Sequence, residues 1–176
     1  MGLRKMNAGV GLLVTVLLMA HAIGLAVWML SRGAVPQMEN YLPWILTGAT
    51  VVHALVSIGL MISGHKGAKN HQSKKYPQMS VSTMIQRISG ALMVLFTWLH
   101  IAGASGIMTP PQAVHAIVPP LFFLLVMVHI AVSTSKAFIT LGIGNAKFVK
   151  RADIAVKTLC ALVLVADIIG FYLHVC

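Results

Sequence analysis

Acid is scarce in this sequence. Only Glu39, Asp153 and Asp167 carry carboxylates, against thirteen Lys and Arg, and the formal net charge is +10. So few acids exclude a carboxylate-rich metal site. Cysteine is rarer still: Cys160 lies within an apolar run and Cys176 is the last residue. That excludes a disulfide framework, zinc-ligand spacing and a CxxCH attachment site. Charged residues of all kinds make up 9% of the chain and hydrophobic residues 58%, with a mean hydropathy of +0.88. Soluble globular domains do not have this balance, so the chain reads as a membrane protein.

What is present is organised in five long apolar runs, at about 9–30, 42–63, 84–106, 114–139 and 154–173. Each has the roughly 20 residues needed to cross a hydrocarbon core of about 30 Å as a helix. The runs lack the two-residue alternation of barrel strands, and a backbone in lipid must satisfy its own hydrogen bonds. The expected fold is therefore an all-α integral membrane protein with five transmembrane helices. The connections "SRGAVPQMEN", "GHKGAKNHQSKKYPQ", "GIMTPPQ" and "GIGNAKFVKR" are short and rich in turn residues, so residues 1–176 read as a single membrane domain. The first run is longer than a signal-peptide core and has no clear small-x-small site before Ser31, which makes it a span.

Lys and Arg concentrate in "MGLRK", in the 64–78 connection and in the 142–151 connection, whereas the other two connections hold only Arg32. The positive-inside rule then puts the N-terminus in the cytoplasm and the C-terminus outside. The basic charge thus has a topological explanation. No nucleic-acid-binding module accompanies it, and no nucleic-acid partner is expected.

Histidine carries the strongest signal. His65 and His71 fall in the basic connection and His174 at the outer end of the last span, but His21, His53, His100 and His129 fall one each inside the first four spans. A single such imidazole reads as a helix-to-helix hydrogen bond. Four of them, one per helix, point to a site, because buried ionisable groups are costly. At about 1.5 Å per residue, His53 and His129 lie about 10–15 Å from the inner ends of their spans, and His21 and His100 about 18–24 Å. They sort into an inner pair, His53 with His129, and an outer pair, His21 with His100. Two imidazoles from different helices can ligate one iron from opposite faces of a porphyrin, so the pairs suggest two stacked b-type haems enclosed by the bundle. Isolated histidines without adjacent Asp, Glu or Cys are a poor basis for a zinc site.

Small residues (Gly9, Gly11, Gly48, Ala49, Ser89, Gly90) recur toward the helix ends and would admit either a flat macrocycle or a close helix neighbour. Ser57 and Ser133, each four residues after a histidine, and Thr97, three before His100, are candidates to orient an imidazole. A helical serine can equally bond its own backbone.

The order of these segments, "GLLVTVLLMAHAIG", "IQRISGALMVLFTWLHIAG", "VPPLFFLLVMVHIAVS" and "VKTLCALVLVADIIGFYL", resembles the five-helix dihaem cytochrome b anchor of succinate:quinone oxidoreductases, the succinate dehydrogenase/fumarate reductase family. The resemblance covers essentially the whole chain and is closest to the fumarate reductase type with a single anchor chain. It implies proximal haem ligands on the second and fourth helices, here His53 and His129, and distal ligands on the first and third, here His21 and His100. This is the pairing that depth gives. It also implies a location in the inner (cytoplasmic) membrane, and flavoprotein and iron-sulfur partner subunits on the cytoplasmic side. Electrons would pass between those subunits and a quinone, menaquinone or ubiquinone, in the lipid. Two histidines per iron leave no open coordination position, which suits electron transfer rather than oxygen binding. The chain would be the electron-transfer subunit of an oxidoreductase, with the dicarboxylate chemistry in its partners and the whole complex a candidate for dimerisation.

The resemblance directs attention to the carboxylates. Glu39 falls where such anchors keep an acid near the distal haem, although the loop here is shorter, and Asp167 lies about 20 Å into the fifth span. Both are quinone-site candidates; the alternatives are a solvated loop residue for Glu39 and a helix-to-helix hydrogen bond for Asp167. Asp153, beside Arg151, reads as a helix-capping charge. Some dihaem relatives carry a glutamate two residues before the fourth-helix ligand, associated with proton movement; this chain has Met127 there. Asn7, Gln86, Arg87, Lys136 and His115 are candidate contacts to haem propionates or edges, while Arg87 and Lys136 could instead snorkel to the interface. The competing function is the quinone-linked cytochrome b of a hydrogenase or formate dehydrogenase, which draws its ligands from other helices. A haem-free transporter has little support, since no inverted repeat or broken helix pair is evident.

The charge asymmetry predicts topology directly. A periplasm-active reporter fused after Cys176 should be active and one fused within 64–78 inactive; the reverse pattern would overturn the orientation.

Overall fold

The computed structural model describes residues 2–31, 41–69, 80–104, 106–107 and 112–175. Five helices account for nearly all of them: α1 (Leu3–Ser31), α2 (Leu42–Lys69), α3 (Val81–Ala104), α4 (Gln112–Leu141) and α5 (Ala146–Val175). All five are long and apolar enough to cross a membrane. The fold is thus all-helical and its composition that of a multi-pass membrane protein.

Most helices outrun the apolar stretches from which they are expected. α1 begins at Leu3 rather than 9, α2 continues through His65 to Lys69, and α5 starts eight residues early, at Ala146. Apolar runs report only where lipid tails are, whereas a helix can continue through the polar headgroup layer with charged side chains on its surface. The early start of α5 corrects the expectation for Asp153. It sits in the second turn of the helix and pairs with Lys157, one turn on, at 2.6 Å, while Asn145 is the cap, its Oδ1 accepting the Phe148 N–H at 2.9 Å. Ser80 does the same for α3, accepting the Thr83 N–H at 3.3 Å. α4 ends at Gly142, whose φ of 74° is left-handed. The Ile143 N–H reaches back to the Phe138 carbonyl and the Gly142 N–H to that of Ile139, a Schellman pattern that satisfies carbonyls otherwise orphaned at the helix end.

Helix α1 packs on α2, α4 and α5, and α4 packs on α1, α3 and α5. The first four helices therefore run α2–α1–α4–α3 across the bundle, with α5 seated behind the central α1–α4 pair. The core follows this plan: Met19 of α1, Met93 of α3, Val126, Met127 and Ile130 of α4, and Cys160 and Val163 of α5 form one buried cluster. α2 contributes nothing to that cluster and rests on α1. The outward faces remain apolar, with Trp44, Leu55, Trp98 and Leu162 all exposed, as expected of surfaces whose solvent is lipid.

Small residues set the closest helix approach. A Cβ at Gly170 of α5 would lie 2.9 Å from the Cβ of Met29 on α1, closer than real contacts allow. Gly170→Leu should push α5 off α1 and destabilise the bundle by about 1–3 kcal/mol, seen as a lower Tm in detergent. The same change at Gly59, which has nothing within 4 Å, should leave Tm close to the parent value.

Candidate functional site

The four membrane histidines fall one on each of α1, α2, α3 and α4. His53 and His129 are electrostatic neighbours, and so are His21 and His100. The chain thus brings together the pairs expected from depth. "Inner" here denotes the end of the bundle that carries the α4–α5 turn.

At the inner level each imidazole lies against a glycine of the preceding helix. A Cβ on Gly11 of α1 would meet the Cε1 of His53 at 3.0 Å, and one on Gly90 of α3 would meet the Cε1 of His129 at 3.1 Å. Any larger side chain there would displace the ring. The main-chain carbonyl of Asn7 faces His53 and that of Gln86 faces His129, each one helical turn before the glycine.

The tautomer of His129 follows from its partner. Ser89 Oγ is 2.7 Å from the Ile85 carbonyl, which can only accept, so the hydroxyl proton points there. The same oxygen is 3.0 Å from His129 Nδ1 and must accept from it. This places the imidazole proton on Nδ1 and leaves the Nε2 lone pair free for a metal. His53 Nδ1, by contrast, is buried without a hydrogen-bond partner.

This geometry corrects the expected orienting groups. Ser133 bonds the backbone carbonyl of His129 rather than an imidazole, and Ser57 donates to Asn7 Oδ1 at 3.1 Å, tying α2 to α1. Ser89, expected only as a small packing residue, does the orienting. Lys136 reaches across to α3, donating to Gln86 Oε1 at 3.0 Å and Thr83 Oγ1 at 3.3 Å. These groups put a cation and an amide on one side of the inner pair, while Arg87 is exposed. Glu39 and the side chain of His115 lie outside the described residues.

The outer pair opens on a cavity of about 250 Å³ between the helices. All five helices line it: His21 from α1, Thr47 and Thr50 from α2, Thr97 and His100 from α3, Phe122 and Met127 from α4, and Asp167 from α5. The His100 ring lies 5.5 Å from that of Phe122 and is exposed in the chain by itself. Asp167 is 1% exposed and neither of its carboxylate oxygens has a hydrogen-bond partner.

A repeat explains the matching environments. Asn7, Gly11 and His21 on α1 have the same spacing as Gln86, Gly90 and His100 on α3; Pro43, His53 and Ser57 on α2 have the same spacing as Pro119, His129 and Ser133 on α4. The repeat is direct rather than inverted, and each repeat supplies one inner and one outer histidine. Gly11 and Gly90 are undistinguished among the small residues of the sequence. Their equal ten-residue spacing before an outer histidine is the signal that marks them. The same spacing, with Gly11 at the level of His53 and Gly90 at that of His129, separates the two levels by about 15 Å along the helices.

Among the described residues no group of three or more His, Cys, Asp or Glu comes together to hold a bare metal ion. Two imidazoles per level, with glycines against the inner rings and a largely apolar cavity at the outer pair, are instead a donor set that would suit an iron porphyrin, whose macrocycle would bring the remaining ligands. No known protein family, curated protein or solved structure matches the chain.

The two glycines give a direct test. Gly11→Val and Gly90→Val should each abolish ligand binding at the inner level, whereas Gly48→Val, in open space, should preserve it; haem content and the Soret band of the purified variants are the readout.

Proposed function

We propose that the protein is a dihaem cytochrome b membrane anchor of the succinate dehydrogenase/fumarate reductase type, passing electrons between a membrane quinone and flavoprotein and iron-sulfur partners. The observation that carries this reading is the pairing of four intramembrane histidines at two levels, with one imidazole of each pair drawn from each repeat. His53 and His129 would hold the inner haem, and His21 and His100 the outer one. A haem bound by two imidazoles supplies a one-electron couple with no vacant coordination position.

The chain's own residues would prepare both sites. Gly11 and Gly90 leave room at the inner rings, and Ser89 keeps His129 in the tautomer that presents Nε2. Lys136, with Gln86 beside it, offers a cation and an amide to the propionates of the inner group. Met93, Phe122 and Val126 would give the outer cavity apolar walls, and Thr47, Thr50 and Thr97 add hydroxyl-bearing side chains to its lining. The basic inner end of the bundle would face the iron-sulfur partner in the cytoplasm, with the quinone reached from the lipid.

The reading predicts two low-spin b haems per chain. His53→Ala or His129→Ala should remove the inner haem alone and His21→Ala or His100→Ala the outer alone, each read as loss of one of two components in the reduced-minus-oxidised spectrum. Copurification with a flavin and iron-sulfur enzyme supports the assignment. A nickel or molybdenum partner would move it to the hydrogenase or formate dehydrogenase class, and a chain without Soret absorption would overturn it.

A further inference from the structure

Asp167 has no explanation in the packing. It is among the most buried side chains in the protein at 1% exposure, and neither carboxylate oxygen finds a donor. A carboxylate in that condition is strongly disfavoured inside a membrane unless something positive or hydrogen-bonding is brought to it. Helix α5 lies outside the direct repeat, so this carboxyl has no counterpart on a second helix and breaks the two-fold equivalence of the sites. It is directed into the outer cavity, which it lines together with His21 and His100.

The position is specific in depth. Gly170 packs against Met29, and Asp167 lies one turn before Gly170, near the level of Ala26 on α1. This puts it about 7 Å beyond His21 along the helix, so it shares the cavity of the outer pair without hydrogen bonding to either ring. The other titratable groups on the cavity are His21 from α1 and His100 from α3; α2 adds Thr47 and Thr50 among apolar residues, and α4 adds apolar residues alone. Among the described residues no Lys or Arg lines it, so they offer Asp167 no counter-ion there.

We propose that Asp167 is the internal counter-charge of the outer centre and takes up a proton when that centre is reduced. The inference rests on the reading of His21 and His100 as a haem-holding pair. Held between two neutral imidazoles, an oxidised iron–porphyrin core, its peripheral propionates aside, would carry one positive charge for an ionised Asp167 to offset. Were one electron to arrive from a hydroquinone-class donor, itself oxidised by that electron, the positive charge would be lost and the carboxylate would be left an isolated buried anion. One proton from water then binds the carboxylate oxygen, and the net charge of the cavity is the same before and after. The linkage has a definite sign: as pH rises the proton becomes harder to supply, so the outer potential falls.

Redox titration of the purified complex across a pH series tests this. In the parent protein the outer potential should fall with rising pH. Asp167→Asn should raise that potential and flatten its pH dependence while leaving the inner potential in place, and Asp167→Glu should restore the slope. A slope that survives in Asp167→Asn overturns the proposal, as does a pH-independent outer potential in the parent. Should the Asn variant lose its outer haem, redox-difference infrared spectra of the parent and of Asp167→Glu decide the matter. A protonated carboxyl band should appear on reduction, shift in heavy water and move in the Glu variant, and its absence from the parent overturns the proposal. A parent protein with no outer haem at all would instead overturn the underlying haem assignment.

Discussion

An imidazole in hydrocarbon must either find a partner or hold something, and this requirement organises the protein. The backbone of each span satisfies itself by forming a helix, so the polar side chains inside the spans carry what remains to be satisfied. Several are settled locally: Thr15, Thr47 and Thr134 each return a hydroxyl to a carbonyl one turn back. The inner histidines are not settled in this way. His129 finds Ser89, but His53 keeps a buried nitrogen without a partner and the outer pair faces a cavity. Among the described residues the unmet polar atoms collect at these two levels.

Packing serves that side. Because α1 and α4 form the centre and α2 and α3 attach to them from either flank, histidines from four helices are brought into two pairs by helix packing. Glycine makes the inner convergence feasible: with Gly11 and Gly90 the rings lie almost on the backbone of the neighbouring helix. The direct repeat accounts for the near-equal treatment of His53 and His129. α5 stands outside the repeat and adds both Cys160 and Val163 to the core and an acid to the outer cavity.

Much of this is legible in the one-dimensional pattern. Five apolar runs mark five helices, because span length is set by bilayer thickness. Depth along each run sorts the histidines into pairs, because helical rise is constant. Less legible are the helix ends, since residues such as Lys147 and Arg151 continue the helix beyond the apolar run, where hydropathy no longer reports it. Asp153 reads as a cap in the sequence for this reason. Ser133 misleads differently: a spacing of four residues puts a hydroxyl on the same helix face as a histidine, but that spacing equally serves the histidine's own carbonyl, which is nearer.

By itself the sequence determined the solvent, the number of helices and the level of each histidine, because these depend on composition and on distance along one helix axis. Only the tertiary structure decided which groups meet across helices: Ser89 with His129, Lys136 with Gln86, the glycines with the inner rings, and Asp167 with the outer cavity. Those contacts depend on how each helix is rotated about its own axis. In a soluble bundle a polar face and an apolar face fix that rotation, but lipid is as apolar as the core and these spans show little such sidedness. Rotation is set instead by small residues and by a few polar atoms in search of partners.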